Sequence, residues 1–260
     1  MVKHANKPLV IKIGGAILAD KSALTHLLQV IKKIENNTIV LVHGGGCIVD
    51  EMLNQAGFTT HKKQGLRITP TEQIPLIAGA LAGSVNKSIV AQANSLGLTA
   101  VGLSLTDGDM VHCQLSSQAL GAVGIPTAHT SLLLDIIVQQ KLLAVISSIG
   151  ALANGELVNV NADDAAVVIC QLLNAELLLL TDVDGVRDAT GSYLTSLNST
   201  QAQQLIAQGI IAGGMTAKVK AALTAAKHLR RSIAVASWKN PEAIALLLSG
   251  NAIGTRILPH

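Results

Sequence analysis

Short apolar runs alternate along this chain with longer segments in which apolar residues recur every three or four positions. The runs predict strands at 9–13 (LVIKI), 39–42 (IVLV), 99–103 (TAVGL), 142–147 (LLAVIS), 175–180 (AELLLL), 233–236 (IAVA) and 254–258 (GTRIL). The amphipathic segments predict helices at 22–35, 47–56, 71–95, 130–141, 162–173, 199–208, 216–230 and 241–249. Strands apolar on both faces and separated by helices predict an α/β three-layer sandwich. Its central sheet is mainly parallel and open, with helices covering both faces. Asn154-Gly155 predicts a hairpin turn. The polar, alternating stretch 58–69 predicts a small hairpin standing off the sheet. Neither a repeat nor a Ser- or Pro-rich linker interrupts the pattern. Two lobes, 1–170 and 171–260, would therefore meet as one continuous unit.

Composition narrows the chemistry. Of 260 residues 49% are hydrophobic, and Phe58, Tyr193 and Trp238 are the only aromatics. The core must be built of Leu, Ile, Val and Ala. The net charge of +3 is too slight for a nucleic-acid partner, and single-stranded nucleic acid would also call for stacking residues. The longest uninterrupted apolar runs are strand-length, which argues against a membrane span and a secretory signal. Cys47, Cys113 and Cys170 are odd in number and match no zinc spacing. They read as small buried hydrophobes in a reducing, cytoplasmic compartment.

Glycines follow two of the strands. The first runs into Gly14-Gly15, and the second into Gly44-Gly45-Gly46 with a helix directly after. In open α/β sheets ligands bind at the carboxyl ends of strands, and glycine there lets backbone N–H groups approach an anion. A tight turn is the plainer reading of one such corner; two of them favour a phosphate. No Walker, dinucleotide, zinc-protease, nucleophile-elbow or protein-kinase motif occurs. In the C-terminal half, Asn159-Val160-Asn161-Ala162-Asp163 leads into a helix, where Asn and Asp also serve as ordinary caps. Thr181-Asp182-Val183-Asp184-Gly185-Val186 follows a strand, and Gly213-Gly214 leads into a helix bearing Lys218 and Lys220.

Together these segments resemble the amino acid kinase family. The matching stretches are IKIGGAIL, LVHGGGCIVDEML, KKQGLRITP, GALAGSVNKSIV, SSIGALANGELVNVNADDAA, LLLLTDVDGV, GGMTAKVKAA, ASWKN and GTRIL, in the family's order from residue 9 to residue 258. GLRIT and NVNAD point within the family to the members that phosphorylate the side-chain carboxylate of N-acetyl-L-glutamate with ATP, a step of arginine biosynthesis. The physics agrees. A carboxylate is already ionised at neutral pH and needs no general base, so transfer requires alignment and charge neutralisation.

The resemblance implies roles for particular residues. Lys12 and Lys218 would stabilise the transition state from opposite sides, with Asp163 holding both. Gly14, Gly15 and Gly44 would offer N–H groups to the phosphates. Gly45, Gly46, Arg67 and Asn159 would bind acetylglutamate. Asp182, Val183, Asp184, Gly185, Val186 and Arg187, with Ile210, Ile211 and Ala212, would line the nucleotide site, and Mg²⁺ would arrive on the ATP phosphates rather than on a protein site. Asp164 stands beside Asp163 as a second candidate organiser. The 1–170 lobe would bind the amino acid and form the dimer, and the 171–260 lobe would bind ATP.

Two alternatives stay open: a related carboxylate or carbamate kinase, and a catalytically silent nucleotide- or amino-acid-binding regulator. On assembly, the stripe Ile74, Ile77, Leu81, Val85, Ile89 and Ala93 of helix 71–95 reads as core. A second face of Leu76, Ala80, Gly83, Lys87 and Val90 would suit a homodimer. Only eight residues precede Leu9, which implies a dimer indifferent to arginine.

Overall fold

The computed structural model describes residues 7–63 and 65–260. It opens with β1 (Leu9–Ile13), α1 (Gly15–Ala19), α2 (Lys21–Lys32), β2 (Ile39–His43) and α3 (Gly46–Gln55). A hairpin of β3 (His61–Lys63) and β4 (Leu66–Ile68) leads into a long helix in three parts. These are α4 (Ile74–Ala78), a π-helical segment (Gly79–Val85) and α5 (Asn86–Ser95). Next come β5 (Ala100–Ser104), β6 (Val111–Leu115), β7 (Val123–Ala128), α6 (Leu132–Gln139), β8 (Leu143–Ser147), β9 (Ile149–Ala151) and β10 (Leu157–Val160). The remainder is α7 (Ala162–Leu173), β11 (Glu176–Thr181), β12 (Ser196–Leu197), α8 (Ser199–Ala207), α9 (Gly214–Leu229), β13 (Ile233–Ser237), α10 (Ala243–Leu248) and β14 (Thr255–Ile257).

Eight strands form one sheet in the order β12-β14-β13-β11-β1-β2-β8-β5, parallel throughout except between β13 and β14. Its central strands are apolar on both faces because both are covered. Val10, Val40 and Val42 pack into the core shared with α7 and α9, while Leu9, Ile11, Ile13 and Leu41 pack into the core shared with α2 and α5. Successive side chains of one strand thus feed opposite layers. The sandwich and its seven foreseen strands agree with the pattern, to within a residue or two at the ends.

Three strands escaped it. β12 has two residues. β6 and β7 belong to a second sheet, β6-β7-β10-β9, standing off the carboxyl end of the first. β6 alternates buried and exposed positions over polar residues (VHCQL), and β7 carries Gly124 and Pro126 (VGIPTA), so neither reads as a buried run. The hairpins at 58–69 and around Asn154-Gly155 are both present, as β3–β4 and β9–β10.

The long helix explains its own irregularity. Ile77, Leu81, Val85, Ile89 and Ala93 are spaced by four, and a step of four overshoots an α-helical turn by about 40°. The wider π turn between Gly79 and Val85 takes up this drift, and all six stripe residues from Ile74 to Ala93 are buried. By composition the Thr71–Ser95 helix could cross a membrane, its mean hydropathy reaching 1.4; here its stripe lies against the sheet and α3. Its second face is not uniformly free: Ala80 is buried, and Lys87 donates to the carbonyl of Gly102 at 3.1 Å. Cys113 and Cys170 are buried as expected, whereas Cys47 is exposed because it opens the first turn of α3. The reading of the chain's start falls on residues 1–6, outside the described residues.

Candidate active site

Lys12 is the one polar residue of β1, next to last in the strand, and its side chain emerges where the sheet ends. Its ammonium lies 2.9 Å from Asp163 Oδ1. Asp163 is held there by the start of α7. Asn161 caps that helix by accepting from the Asp163 N–H at 2.7 Å, which fixes the first turn. The neighbouring Asp164 faces other partners. Burial, and then the Asp163 charge, push its carboxyl above the usual range, with His228 partly offsetting them. Asp163 is therefore the carboxylate that meets a lysine.

Two clefts adjoin this pair. One, of about 260 Å³, is bounded by Gly44, Gly45, Gly46, Arg67, Ser148 and Asn159. The other, of about 230 Å³, is bounded by Ile17, Asp182, Lys218 and Trp238. Lys12, Gly14, Gly15 and Asp163 line both. The β1 glycine corner thus stands between the two clefts, and the β2 corner lines the first alone.

The first cleft is rigidly built. Gly45 has no room for a side chain, since a Cβ would meet Leu81 at 3.0 Å and Val85 at 3.4 Å, both on the π segment. A Cβ on Gly15 would meet Cys47 Sγ at 2.8 Å. Arg67, on β4, is buried with its guanidinium already engaged. Nη1 donates to Asp50 Oδ1 at 2.5 Å and Nη2 to the Gly46 carbonyl at 3.0 Å. Burial raises the Asp50 pKa, but hydrogen bonds from Arg67 and Lys62 outweigh it, and the carboxyl lies below its ordinary range. Arg67 is consequently tied to the fold, not merely presented to a ligand as its polar hairpin suggests. Asn159 sits between β7 and β9 and donates to Thr69 Oγ1 at 3.2 Å, tying the small sheet to the residue after β4.

His43 ends β2 and is completely buried beneath the Gly44–Gly46 corner. Its Nδ1 donates to the Gly44 carbonyl at 2.9 Å, and its Nε2 accepts from Asn86 at 3.1 Å. Asn86 also donates to the Val145 carbonyl at 2.9 Å. Desolvation lowers the His43 pKa to about 4, with the Gly44 bond acting weakly the other way. The ring is neutral at pH 7 and serves as a strut.

The second cleft is looser. Lys218, one turn into α9, pairs with Asp182 at the end of β11, and both side chains are about half exposed. The expected Asp163 bridge to both lysines is thus divided: Asp163 takes Lys12, and Asp182 takes Lys218. The Lys218 hydrogen bond draws the Asp182 carboxyl below its ordinary pKa. Of the other nucleotide candidates, Val186 and Ile211 turn their side chains into the core, leaving only their backbone to face a ligand. Arg187 lies over the Tyr193 ring and donates to its hydroxyl at 3.0 Å, and that hydroxyl donates to Asp184. Gly185 packs against Thr255, whose hydroxyl accepts the Val186 N–H. Val183, Ile210 and Ala212 lie on the loops before and after these residues.

His43, Asp50, Thr69, Asn86 and Ser148 were not foreseen. His43 and Asp50 carried a signal, one preceding the triple glycine and the other four residues along the following helix from Gly46. Thr69, Asn86 and Ser148 lie inside the matching stretches KKQGLRITP, GALAGSVNKSIV and SSIGALANGELVNVNADDAA, but their roles depend on partners distant in sequence.

A sheet whose strand ends carry two glycine corners, two lysine–aspartate pairs and paired clefts defines a phosphotransfer fold. Residues 7–237 match the amino acid kinase family, and the chain belongs to that family. It is 69% identical to the acetylglutamate kinase of Colwellia psychrerythraea over 254 residues, 98% of each chain. It is 48% identical to that of Vibrio vulnificus over 262 residues, the full length of both. The N-acetylglutamate synthase of Neisseria gonorrhoeae, solved with coenzyme A and N-acetyl-glutamate, shares the fold. Its TM-score is 0.81 at 22% identity, covering 98% of this chain and 60% of that one.

Proposed function

We infer that the chain transfers the terminal phosphoryl group of ATP to the side-chain carboxylate of N-acetyl-L-glutamate, giving an acyl phosphate for arginine biosynthesis. One observation carries the assignment of roles: the Lys12–Asp163 pair lines both clefts. Transfer between two bound substrates needs a cation where they meet.

In this reading acetylglutamate occupies the cleft of Gly45, Gly46, Arg67 and Asn159. The remaining donor edge of the Arg67 guanidinium and the Asn159 amide bind its carboxylate and amide groups. ATP occupies the cleft of Asp182 and Lys218, its adenosine against residues 182–187 and the backbone of 210–212. The lobes 1–170 and 171–260 then divide the two substrates between them. Gly14, Gly15 and Gly44 direct N–H groups at the phosphates. The acceptor carboxylate is ionised and attacks directly, which suits two clefts that no histidine lines among the described residues. Lys12 neutralises the moving phosphoryl group, and Lys218 leaves Asp182 to neutralise the departing phosphate. Asp163 keeps Lys12 in line.

Mg²⁺ belongs to the nucleotide substrate. Both carboxylates at the junction are already paired with lysines, so the donor set suits an ion held through ATP oxygens and water. Bound there, it supplies further charge neutralisation. A homodimer in the cytoplasm completes the reading. The open edge strand β5, where a second sheet could continue the first, supports the dimer, and three unpaired cysteines support a reducing compartment.

A hydroxamate assay for acyl phosphate, with ATP and a panel of N-acylated and free amino acids, tests the proposal. Product with N-acetylglutamate is the expected result. Activity confined to free glutamate would overturn it.

A further inference from the structure

Away from both clefts, three side chains with metal-ligating atoms converge on the β6–β7 hairpin. His112 lies on β6, His129 directly follows β7, and Asp109 closes the short turn between β5 and β6. The imidazoles stack with centroids 3.9 Å apart and planes 20° from parallel. Each ring presents Nε2 to a different oxygen of the same carboxylate, His112 at 3.1 Å from Oδ1 and His129 at 3.2 Å from Oδ2. The three ligand atoms lie within 4.8 Å of one another.

The backbone holds this arrangement. Val111 pairs with Ala128 and His112 with Thr127, and the His129 N–H donates to the Met110 carbonyl at 2.9 Å. Two rings on neighbouring strands are thus fixed side by side before any ligand arrives. Donors bound to one zinc-like ion at about 2.1 Å stand about 3.4 Å apart in a tetrahedron. The Asp–His separations already approach that value. Two imidazoles and one carboxylate suit Zn²⁺, Ni²⁺ or Cu²⁺, whereas Mg²⁺ prefers an all-oxygen shell.

We propose that Asp109, His112 and His129 form a divalent transition-metal site, separate from catalysis, that clamps the turn after β5 to the β6–β7 hairpin. The ion takes the place of the Nε2 protons, the rings adopting their Nδ1–H form, and water completes the open positions. The exposure of all three side chains makes this a site of modest affinity.

The test is calorimetric titration of the full, chelator-treated chain with ZnCl₂ alone, with and without excess MgCl₂. One Zn²⁺ per chain is expected, with Mg²⁺ failing to compete and Zn²⁺ raising the thermal midpoint. His112→Gln and His129→Gln should each weaken binding by about tenfold or more, while the control His26→Gln binds as the parent does. No binding at 100-fold excess zinc, or equal binding by the His112→Gln/His129→Gln double variant, would overturn the site and leave two histidines merely hydrogen-bonded to Asp109.

Discussion

The two clefts meet at one ion pair yet are made differently. In the cleft of Arg67 and Asn159, which we assign to acetylglutamate, the structure is finished in advance. Arg67 is buried on Asp50, the glycine corner stands on His43, and Gly45 is pressed against the π segment. In the cleft we assign to the nucleotide, Lys218 is half exposed, with Asp182 for company. A small substrate that must be told from its near relatives is met by preset geometry. In the proposed role of Lys218, a lysine that follows a departing phosphate is better left able to move. On the proposed assignment, discrimination is concentrated in the first cleft and adaptability in the second.

The largest expected effect lies at the shared wall. Lys12→Met removes the cation common to both clefts and should lower kcat by about 10²–10³, with the KM values little changed. Lys218→Ala should fall at the lower end of that range, since this lysine is half exposed and lines only one of the two clefts. Steady-state kinetics with both substrates measures both. Ordinary turnover would leave Lys218 a solvated surface residue and Lys12 only a structural partner of Asp163.

Next is the strut beneath the glycine corner, which has no counterpart across the junction. His43 has a folded pKa of about 4 against 6.5 for the free side chain. The unfolded chain binds the proton more readily, so this stability is complete above pH 6.5. It is lost as pH falls from 6.5 towards 4, amounting to about 3 kcal/mol. Urea unfolding at several pH values should give a shallower slope over that window for His43→Gln than for the parent. Parallel slopes would show that the ring is not held neutral by the fold.

This contrast also governs what was legible in the sequence. Strands buried on both faces, such as LVIKI and IVLV, were visible because apolar residues fill them apart from Lys12. The glycine corners and NVNAD lie on adjacent, short-range structure, so motif order found them. β6 and β7 were hidden: half their residues face water, and Pro126 breaks the pattern. The supports of the first cleft were hidden for another reason. Asn86 reaches His43 across 43 residues, and Asp50 reaches Arg67 across 17. No local pattern encodes such a partner. Likewise, the motif alone assigned both lysines to Asp163; only the geometry divides them between Asp163 and Asp182.

A smaller effect is expected at Arg67. Lysine can keep the charge beside Asp50 but cannot also reach Gly46 and a substrate carboxylate with a planar fork. Arg67→Lys should raise the KM for acetylglutamate about tenfold and leave that for ATP nearly unchanged. A matching rise in both values would mean that the residue supports the whole junction, and the division between a selective and an adaptable cleft would fail.

The smallest effect should come from Asp182→Asn. Its carboxylate pairs with Lys218 in solvent, where an ion pair contributes little to stability, so the variant should fold as the parent does. If Asp182 only holds Lys218 between turnovers, the amide leaves the lysine free to find the phosphates, and kcat should change by no more than about threefold. The KM for ATP could fall slightly, because phosphate no longer competes with a carboxylate for the ammonium. Asp163→Asn provides the contrast: its partner Lys12 is largely enclosed, and losing the charge that orients it should lower kcat by at least about tenfold. Comparable losses in the two variants would show that Asp182 positions Lys218 as tightly as Asp163 positions Lys12. The nucleotide cleft would then be as preset as its neighbour.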